Sequence, residues 1–175
     1  MESKAKLFGH PIHQMLIVFP LGLLVMSLIF DGIGLVSGND HWHESAFWMI
    51  GAGVISGLLA AVFGVIDWWA IPMGTRAKAV GMWHGLGNVA VITLFAISWL
   101  MRRGLPAPSP AAPPDPGAIP IILSFIAVGL GAVTAWMGGE LVDRLGVGVD
   151  PGAHLNAPSS LSNRPASEDV SAPAG

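Results

Sequence analysis

Residues 11–37 read PIHQMLIVFPLGLLVMSLIFDGIGLVS and contain a single charged side chain, Asp31. A helix needs about 20 consecutive apolar residues to cross a hydrocarbon core of about 30 Å. A secretory signal peptide has a shorter apolar region, of about 7–15 residues, that ends at a small-residue cleavage site. Because this run is longer and no such site clearly ends it, we interpret it as a retained transmembrane helix.

Three further apolar segments of similar length follow, at about 44–69, 78–101 and 119–139. Turn-forming residues separate them: Gly38 to Asp40, then Pro72 with Gly74, then a Pro/Ala run over 106–116. The sequence therefore predicts an all-α fold, a four-helix transmembrane bundle spanning residues 11–149. A short cytoplasmic N-terminus, residues 1–10, is expected before it. Residues 150–175, rich in Pro, Ala and Ser, are expected to form a disordered tail.

The composition excludes several classes of protein. The chain is 53% hydrophobic and 11% charged, with a mean hydropathy of +0.64, which is typical of a membrane domain. It has no cysteine, so disulfides, thiolate nucleophiles and thiolate-bound iron–sulfur clusters are excluded. The net charge is −3 without a basic stripe, which does not favour a nucleic-acid partner. No soluble-enzyme motif is present, so we do not expect catalysis by the chain alone.

Positive charges are unevenly divided between the two ends of the predicted helices. One end carries Lys4, Lys6, Arg76, Lys78 and Arg144, whereas the other carries only Arg102 and Arg103. By the positive-inside rule, both termini are expected in the cytoplasm, with the chain in the inner membrane. Tryptophan, which is enriched at membrane interfaces, marks the same two levels. The inner level holds Trp68, Trp69, Trp83 and Trp136, and the outer level holds Trp42, Trp48 and Trp99.

Five ionisable side chains fall near the inner ends of the helices: His10, His13, Asp67, His84 and Glu140. Pro11 is typical of a first helical position, which places His10 at the cap and His13 in the first turn. An ionisable group at the centre of a membrane segment costs about 2.5–3.5 kcal/mol on insertion scales and less near the ends. Such groups are therefore candidates for a functional site.

Three interpretations of these five residues remain open. They can fix helix packing through hydrogen bonds and ion pairs, with Asn88 assisting His84. Alternatively, His13 and His84 can be the axial ligands of haem b, or the five residues can hold a transition metal such as iron, zinc or manganese. Haem would use the room left by Gly64, Gly85, Gly87, Gly138 and Gly139. The third interpretation is a proton or ion path, although the predicted helices have few polar residues near the membrane midplane.

The same residues suggest an internal repeat. His13 and His84 are 71 residues apart, and Asp67 and Glu140 are 73 apart. Each predicted hairpin thus begins with a histidine and ends with a carboxylate. This spacing predicts two parallel hairpins related by an axis along the membrane normal.

At the outer end, Asp31 is expected to pair with Arg102, with Arg103 or with a polar group on a neighbouring helix. A polar loop follows the first helix and is interpreted as ordinary solvated sequence rather than a metal site: Asp40, His41, His43 and Glu44.

Two features bear on packing. Pro20 is expected to kink the first helix. Gly53 and Gly57 form a small-xxx-small pair, which predicts either close packing inside the bundle or a homodimer.

The chain resembles a known family through motifs spread over all four helices. These are His10 to Ile17, Phe19-Pro20 with Gly22, Phe30-Asp31, Gly64 to Asp67, His84, Asn88, Gly138 to Val142 and Gly146 to Val149. Together, over about residues 7–149, they resemble the bacterial membrane family catalogued as domain of unknown function 2231. The resemblance implies a four-helix membrane domain and brings no established activity.

Some members of that family are joined to Rieske-type iron–sulfur domains, which implies a redox partnership. This chain has no cysteine, so a Rieske partner must be a separate protein. Many relatives carry a histidine where Val18 stands here, so the resemblance does not support a haem ligand at that position. We expect a redox-associated membrane subunit that binds haem b or a metal and serves electron transfer. The alternative is a non-catalytic structural or assembly subunit.

Overall fold

The computed structural model describes residues 1–102 and 115–170. These residues form the helices α1 (Ile12–Leu16), α2 (Val18–Ser37), α3 (His41–Ala70), α4 (Arg76–Met101) and α5 (Ala118–Gly139), with a π-helical turn over Glu140–Arg144. Four spans are long and apolar enough to cross a membrane: Ile12–Ser37, His41–Ala70, Arg76–Met101 and Ala118–Arg144. The predicted all-α fold with four transmembrane helices is confirmed.

The helices pack as a ring of four. Helix α2 lies beside α3, α3 beside α4, α4 beside α5, and α5 beside α2, with the most extensive packing inside the pairs α2–α3 and α4–α5. Helices α2 and α4 therefore face each other across the diagonal of the bundle. The core between them consists of Leu24, Ile50, Val54, Val91, Phe95 and Ala127.

Buried positions recur between the two hairpins. Ser27 on α2 and Ser98 on α4 are both fully buried and lie 71 residues apart. Ile50 on α3 and Ser124 on α5 are also fully buried, at a spacing of 74 residues. This agreement supports the predicted repeat of two parallel hairpins.

The first spanning helix is interrupted at Ile17, between α1 and α2. Pro20 has no N–H to donate to the carbonyl of Leu16, so the helical ladder lacks one bond here. Hydrogen bonds resume on either side, from Ile17 N to the oxygen of His13 at 3.1 Å and from Leu21 N to the oxygen of Ile17 at 3.2 Å. The predicted kink thus takes the form of a one-residue break.

The N-terminal ten residues are ordered by a short hairpin that the sequence analysis did not anticipate. Strand β1 (Lys6–Leu7) pairs antiparallel with β2 (His10–Pro11). Because Pro11 belongs to this strand, with ψ of 121°, helix α1 begins at Ile12. The prediction that Pro11 is the first helical residue, with His10 at the cap, is therefore wrong.

The N-terminal segment docks on the residues that follow α5. The Met1 ammonium donates to the oxygen of Gly146 at 2.7 Å, and Gly148 N donates to the oxygen of Met1 at 2.8 Å. Lys6 contacts Asp150 and Glu2, and these carboxylates raise the pKa of its ammonium group. Both chain ends of the membrane domain thus meet at one end of the bundle.

Residues 151–170 consist of turns without a helix or strand. Ser160 reaches back to the N-terminal β-hairpin, where its Oγ donates to the oxygen of Phe8 at 3.1 Å. The disorder expected for residues 150–175 stays a prediction, and its last five residues lie outside the described part of the chain. The Pro/Ala connection at 106–116 also lies outside it, except for residues 115 and 116.

Gly53 and Gly57 are used for packing inside one chain. A Cβ at Gly53 would lie 2.6 Å from Leu24 Cδ2, and a Cβ at Gly57 would lie 2.5 Å from Ile92 Cδ1. At these distances a larger residue would force Leu24 or Ile92 to shift, so the glycines allow α3 to approach α2 and α4. A homodimer through the same pair stays a prediction, and it would have to replace these contacts.

Candidate functional site

Two of the sequence-predicted histidines meet across the diagonal of the bundle. His13 on α1 and His84 on α4 have ring centroids 6.4 Å apart, with their planes at 87°. His13 Nδ1 lies 2.8 Å from the oxygen of Ala60, and His84 Nδ1 lies 2.9 Å from the oxygen of Thr134. Because a carbonyl oxygen only accepts, each Nδ1 must carry the proton that it donates. In a neutral ring, Nε2 is then the nitrogen with a free lone pair.

Glycines on the partner helices allow the rings to reach these carbonyls. A Cβ at Gly64 on α3 would lie 2.9 Å from the His13 ring, and one at Gly138 on α5 would lie 3.2 Å from His84 Cε1. Gly64 and Gly138 are 74 residues apart, so the same arrangement occurs in both hairpins. The space that the sequence analysis assigned to haem at these two glycines is filled by the imidazoles.

The two histidines differ at Nε2. Asn88 Nδ2 lies 3.2 Å from His84 Nε2 and donates to the oxygen of His84 at 2.9 Å. Asn88 Oδ1 in turn accepts from Thr134 Oγ1 at 3.1 Å. The first hairpin has Ile17 where Asn88 stands in the second, 71 residues later. Among the described residues, His13 Nε2 therefore has no equivalent hydrogen-bond donor.

Asp67 is held by the N-terminal segment rather than by the histidines. Its two carboxylate oxygens accept from Ser3 Oγ at 2.7 and 2.8 Å, and Oδ1 also accepts from Lys4 N at 2.8 Å. Ser3 is only 5% exposed. Asp67 thus anchors the segment that covers this end of the bundle.

Glu140 and His10 also have separate partners. Glu140 Oε1 accepts from Arg76 Nη2 at 2.6 Å, which joins the end of α5 to the start of α4. His10 Nε2 lies 3.3 Å from Ser160 Oγ. Residues 1–102 and 115–170 contain no group of three or more His, Asp or Glu side chains that could hold a metal ion. Of the five residues predicted to share a site, the structure brings together only His13 and His84.

A second polar cluster lies at the opposite end of the bundle. Arg102 forms a bidentate ion pair with Asp31, with Nη1 to Oδ1 at 2.8 Å and Nη2 to Oδ2 at 2.7 Å. His43 Nδ1 donates to Asp31 Oδ1 at 2.9 Å. Each of the three side chains is at most 2% exposed. Of the partners predicted for Asp31, the structure shows Arg102 and a polar group on a neighbouring helix, His43.

The interpretation of His43 as part of a solvated loop is wrong. Helix α3 begins at His41, so His43 lies in its first turn and faces α2. A Cβ at Gly34 would lie 2.7 Å from His43 Nε2, so the ring occupies the space that this glycine leaves free. The sequence feature that could have indicated this burial is Gly34, about one turn after Asp31, because it leaves room beside Asp31 for a side chain from another helix.

An apolar layer separates the His13–His84 pair from the Asp31 cluster. It contains Leu24, Val54, Val91 and Phe95, none of them more than 8% exposed. The geometry therefore gives no support to a proton or ion path through the centre of the bundle.

Ser3→Ala is expected to loosen the N-terminal segment, because a hydrogen bond to a charged group contributes about 1.5–3 kcal/mol. Amide hydrogen exchange over residues 1–11 should become about tenfold faster or more, as followed by mass spectrometry. Ser37→Ala, at the exposed end of α2, is the matched control and should leave this region unchanged. Equal protection in Ser3→Ala and wild type would contradict the role assigned to Ser3.

The family model described as predicted membrane protein (DUF2231) matches residues 9–151 of the chain. Comparisons with curated proteins and with solved structures gave no match.

Proposed function

The chain belongs to the DUF2231 family of predicted membrane proteins, and we propose that this member binds a transition-metal ion or haem b at His13 and His84 and serves electron transfer. The observation that carries the proposal is the pair of imidazoles whose Nδ1 atoms are both fixed by backbone carbonyls. Metal-binding histidines almost always donate their second ring N–H to a carbonyl, a carboxylate or water. That bond sets the tautomer and leaves Nε2 for the metal.

The separation of the rings supports the same proposal. With a metal–nitrogen bond of about 2.0–2.1 Å and the nitrogen about 1.1 Å from the ring centre, two imidazoles on one ion would have ring centres about 5 Å apart at a tetrahedral angle and about 6.3 Å apart on opposite sides of the ion. The centroids of His13 and His84 are 6.4 Å apart. Binding would require Asn88 to release His84 Nε2, which is a rotation of one amide side chain.

The two imidazole donors favour a metal of intermediate softness, between the hard ions that prefer oxygen and the soft ions that prefer sulfur. Imidazole suits copper, iron, zinc and nickel, whereas magnesium, calcium and manganese prefer carboxylates. Asp67 and Glu140 are engaged by Ser3 and Arg76, which leaves the two imidazoles as donors. Electron transfer further favours copper or iron over zinc, which has no redox chemistry.

A single ion fits the packing better than haem b. Gly64 and Gly138 contact the histidine rings themselves, and a Cβ at Gly87 would lie 2.5 Å from a methyl group of Thr134. A porphyrin between His13 and His84 would therefore have to separate the helices that carry them. Iron or copper without a porphyrin needs no such change.

The proposal places the protein in a bacterial inner membrane with both termini in the cytoplasm. Arg102 opposed this orientation in the count of loop charges, but it is buried against Asp31 and is no longer a loop charge. This burial supports the positive-inside assignment. A separate Rieske protein is the proposed redox partner, on the strength of the family resemblance.

A structural or assembly subunit is the second candidate. Two observations favour it. Asn88 already lies within hydrogen-bond distance of His84 Nε2, and each histidine ring hydrogen-bonds to the other helix of its own helical hairpin. In this function the histidines would stabilise helix packing without a cofactor.

The test is the metal content and visible spectrum of the purified protein. The chain should be purified in detergent without chelators, analysed for bound metals, and recorded in oxidised and dithionite-reduced states. We expect about one copper or iron ion per chain, with haem b distinguished by its absorption bands. A folded, colourless protein that holds no metal and takes up none on titration would exclude the redox proposal and favour the structural one.

A further inference from the structure

A groove on the outer surface of the bundle lies where α3 ends and α4 begins. Its volume is about 660 Å³, and its walls include Trp68, Trp69, Met73 and Met82. Trp69 is 76% exposed and Met73 is 82% exposed in the isolated chain. Because α3 and α4 are both spanning helices, this face lies at a membrane interface, where tryptophan is enriched.

One fixed positive charge lies in this otherwise apolar groove. Lys78 Nζ donates to the oxygen of Trp68 at 2.8 Å and to that of Trp69 at 3.4 Å, and it lies 3.9 Å from the centroid of the Trp68 ring. Trp68 Nε1 donates to the oxygen of Lys78 at 3.1 Å, which holds the two residues together. All of these partners are neutral. Within the described residues, no carboxylate forms a salt bridge with Lys78, whereas Arg76 nearby is paired with Glu140.

The start of α4 adds to this charge. Thr75 Oγ1 accepts from Lys78 N at 3.1 Å and so caps the helix. The N-terminal end of a helix carries a partial positive charge, which favours an anion beside it. The groove thus combines a preordered ammonium group with apolar walls.

We propose that this groove binds one anionic phospholipid, with the phosphate on Lys78 and an acyl chain along Trp69 and Met82. The charge complementarity selects the headgroup, because a positive side chain near the membrane surface attracts anionic lipid. The apolar wall selects a lipid over a free phosphate ion, which would leave Trp69 and Met82 uncovered. The site is independent of the His13–His84 pair.

The test compares lipids that differ only in the headgroup. Delipidated protein in detergent receives phosphatidylglycerol or phosphatidylcholine with the same acyl chains, and Tm is measured while native mass spectrometry counts retained lipid. We expect phosphatidylglycerol to raise Tm by about 5 °C and to leave one lipid bound, with little effect of phosphatidylcholine. Equal shifts with the two lipids would overturn the proposal.

Two variants and a matched control localise the effect. Lys78→Gln should abolish most of the phosphatidylglycerol-dependent shift, whereas Lys4→Gln, an exposed lysine at the same end, should retain it. Met73→Glu places a negative charge in the groove at an exposed position, so it tests the site even if Lys78→Gln fails to fold. A shift that persists in Met73→Glu would place the lipid elsewhere. An equal shift with inorganic phosphate would show a phosphate site rather than a lipid site.

Discussion

Asp31→Asn is expected to lower the free energy of unfolding by about 3–5 kcal/mol, because it leaves the buried Arg102 guanidinium without its carboxylate. Arginine cannot shed its proton, so the uncompensated charge remains in the bundle. Arg102 is 1% exposed and donates to both oxygens of Asp31. Among the described residues, the other hydrogen-bond partner of Arg102 is Ser98 Oγ, at 3.3 Å, which is neutral.

Arg102→Met should be less damaging than Asp31→Asn. Arg102→Met leaves no guanidinium buried in the bundle, and Asp31 keeps a hydrogen-bond donor because His43 Nδ1 lies 2.9 Å from its Oδ1. The free energy of unfolding would be measured by SDS titration in mixed micelles, with helix content as the signal. Glu44→Gln, at the same end of the bundle and partly exposed, is the matched control and should change stability by no more than about 0.5 kcal/mol.

The double variant isolates the interaction energy between Asp31 and Arg102 from the contribution of each residue's other contacts. If Asp31 and Arg102 interact directly, the loss in Asp31→Asn with Arg102→Met should be clearly smaller than the sum of the two single losses. Strictly additive losses would show that the two residues do not act as a pair in the folded protein.

His13→Ala and His84→Ala should each remove the bound metal that we propose, because a two-imidazole site that loses one donor keeps only a single ligand. Metal per chain, measured on protein purified in parallel, should fall from about one to near zero in both variants. His41→Ala removes an exposed histidine near the other end of the bundle and serves as the matched control. Metal that survives in both His13→Ala and His84→Ala would show that the assigned ligands are wrong.

Gly64→Ala tests whether the carbonyl of Ala60 positions His13 for metal binding, and it leaves both histidines in place. Its Cβ would lie 2.9 Å from the His13 ring, so the ring must move away from the oxygen of Ala60. Loss of the hydrogen bond that orients a metal-binding histidine typically weakens metal affinity by about 10–100-fold. Gly85→Ala is the control, because a Cβ there meets nothing within 4 Å. Equal metal affinity in Gly64→Ala and Gly85→Ala would contradict the positioning role.

The sequence by itself was sufficient for the architecture and for the end of the bundle at which each polar group lies. Four apolar runs of spanning length predicted four helices, and all four structural spans begin within about three residues of the predicted positions. The shared depth of His13 and His84 followed from their places in those runs. The pairing of Asp31 with Arg102 could be predicted because a buried carboxylate in an apolar helix has few possible partners.

Only the tertiary structure decided which residues touch. Asp67 and Glu140 lie at the same end of the bundle as His13 and His84, yet they bind Ser3 and Arg76. His43, which was expected in a loop, lies buried in the bundle. The physical reason is that depth along a membrane helix depends on its own hydropathy, which is local. Rotation and lateral contact depend on the packing of all four helices and on the N-terminal segment, which no single run of sequence contains.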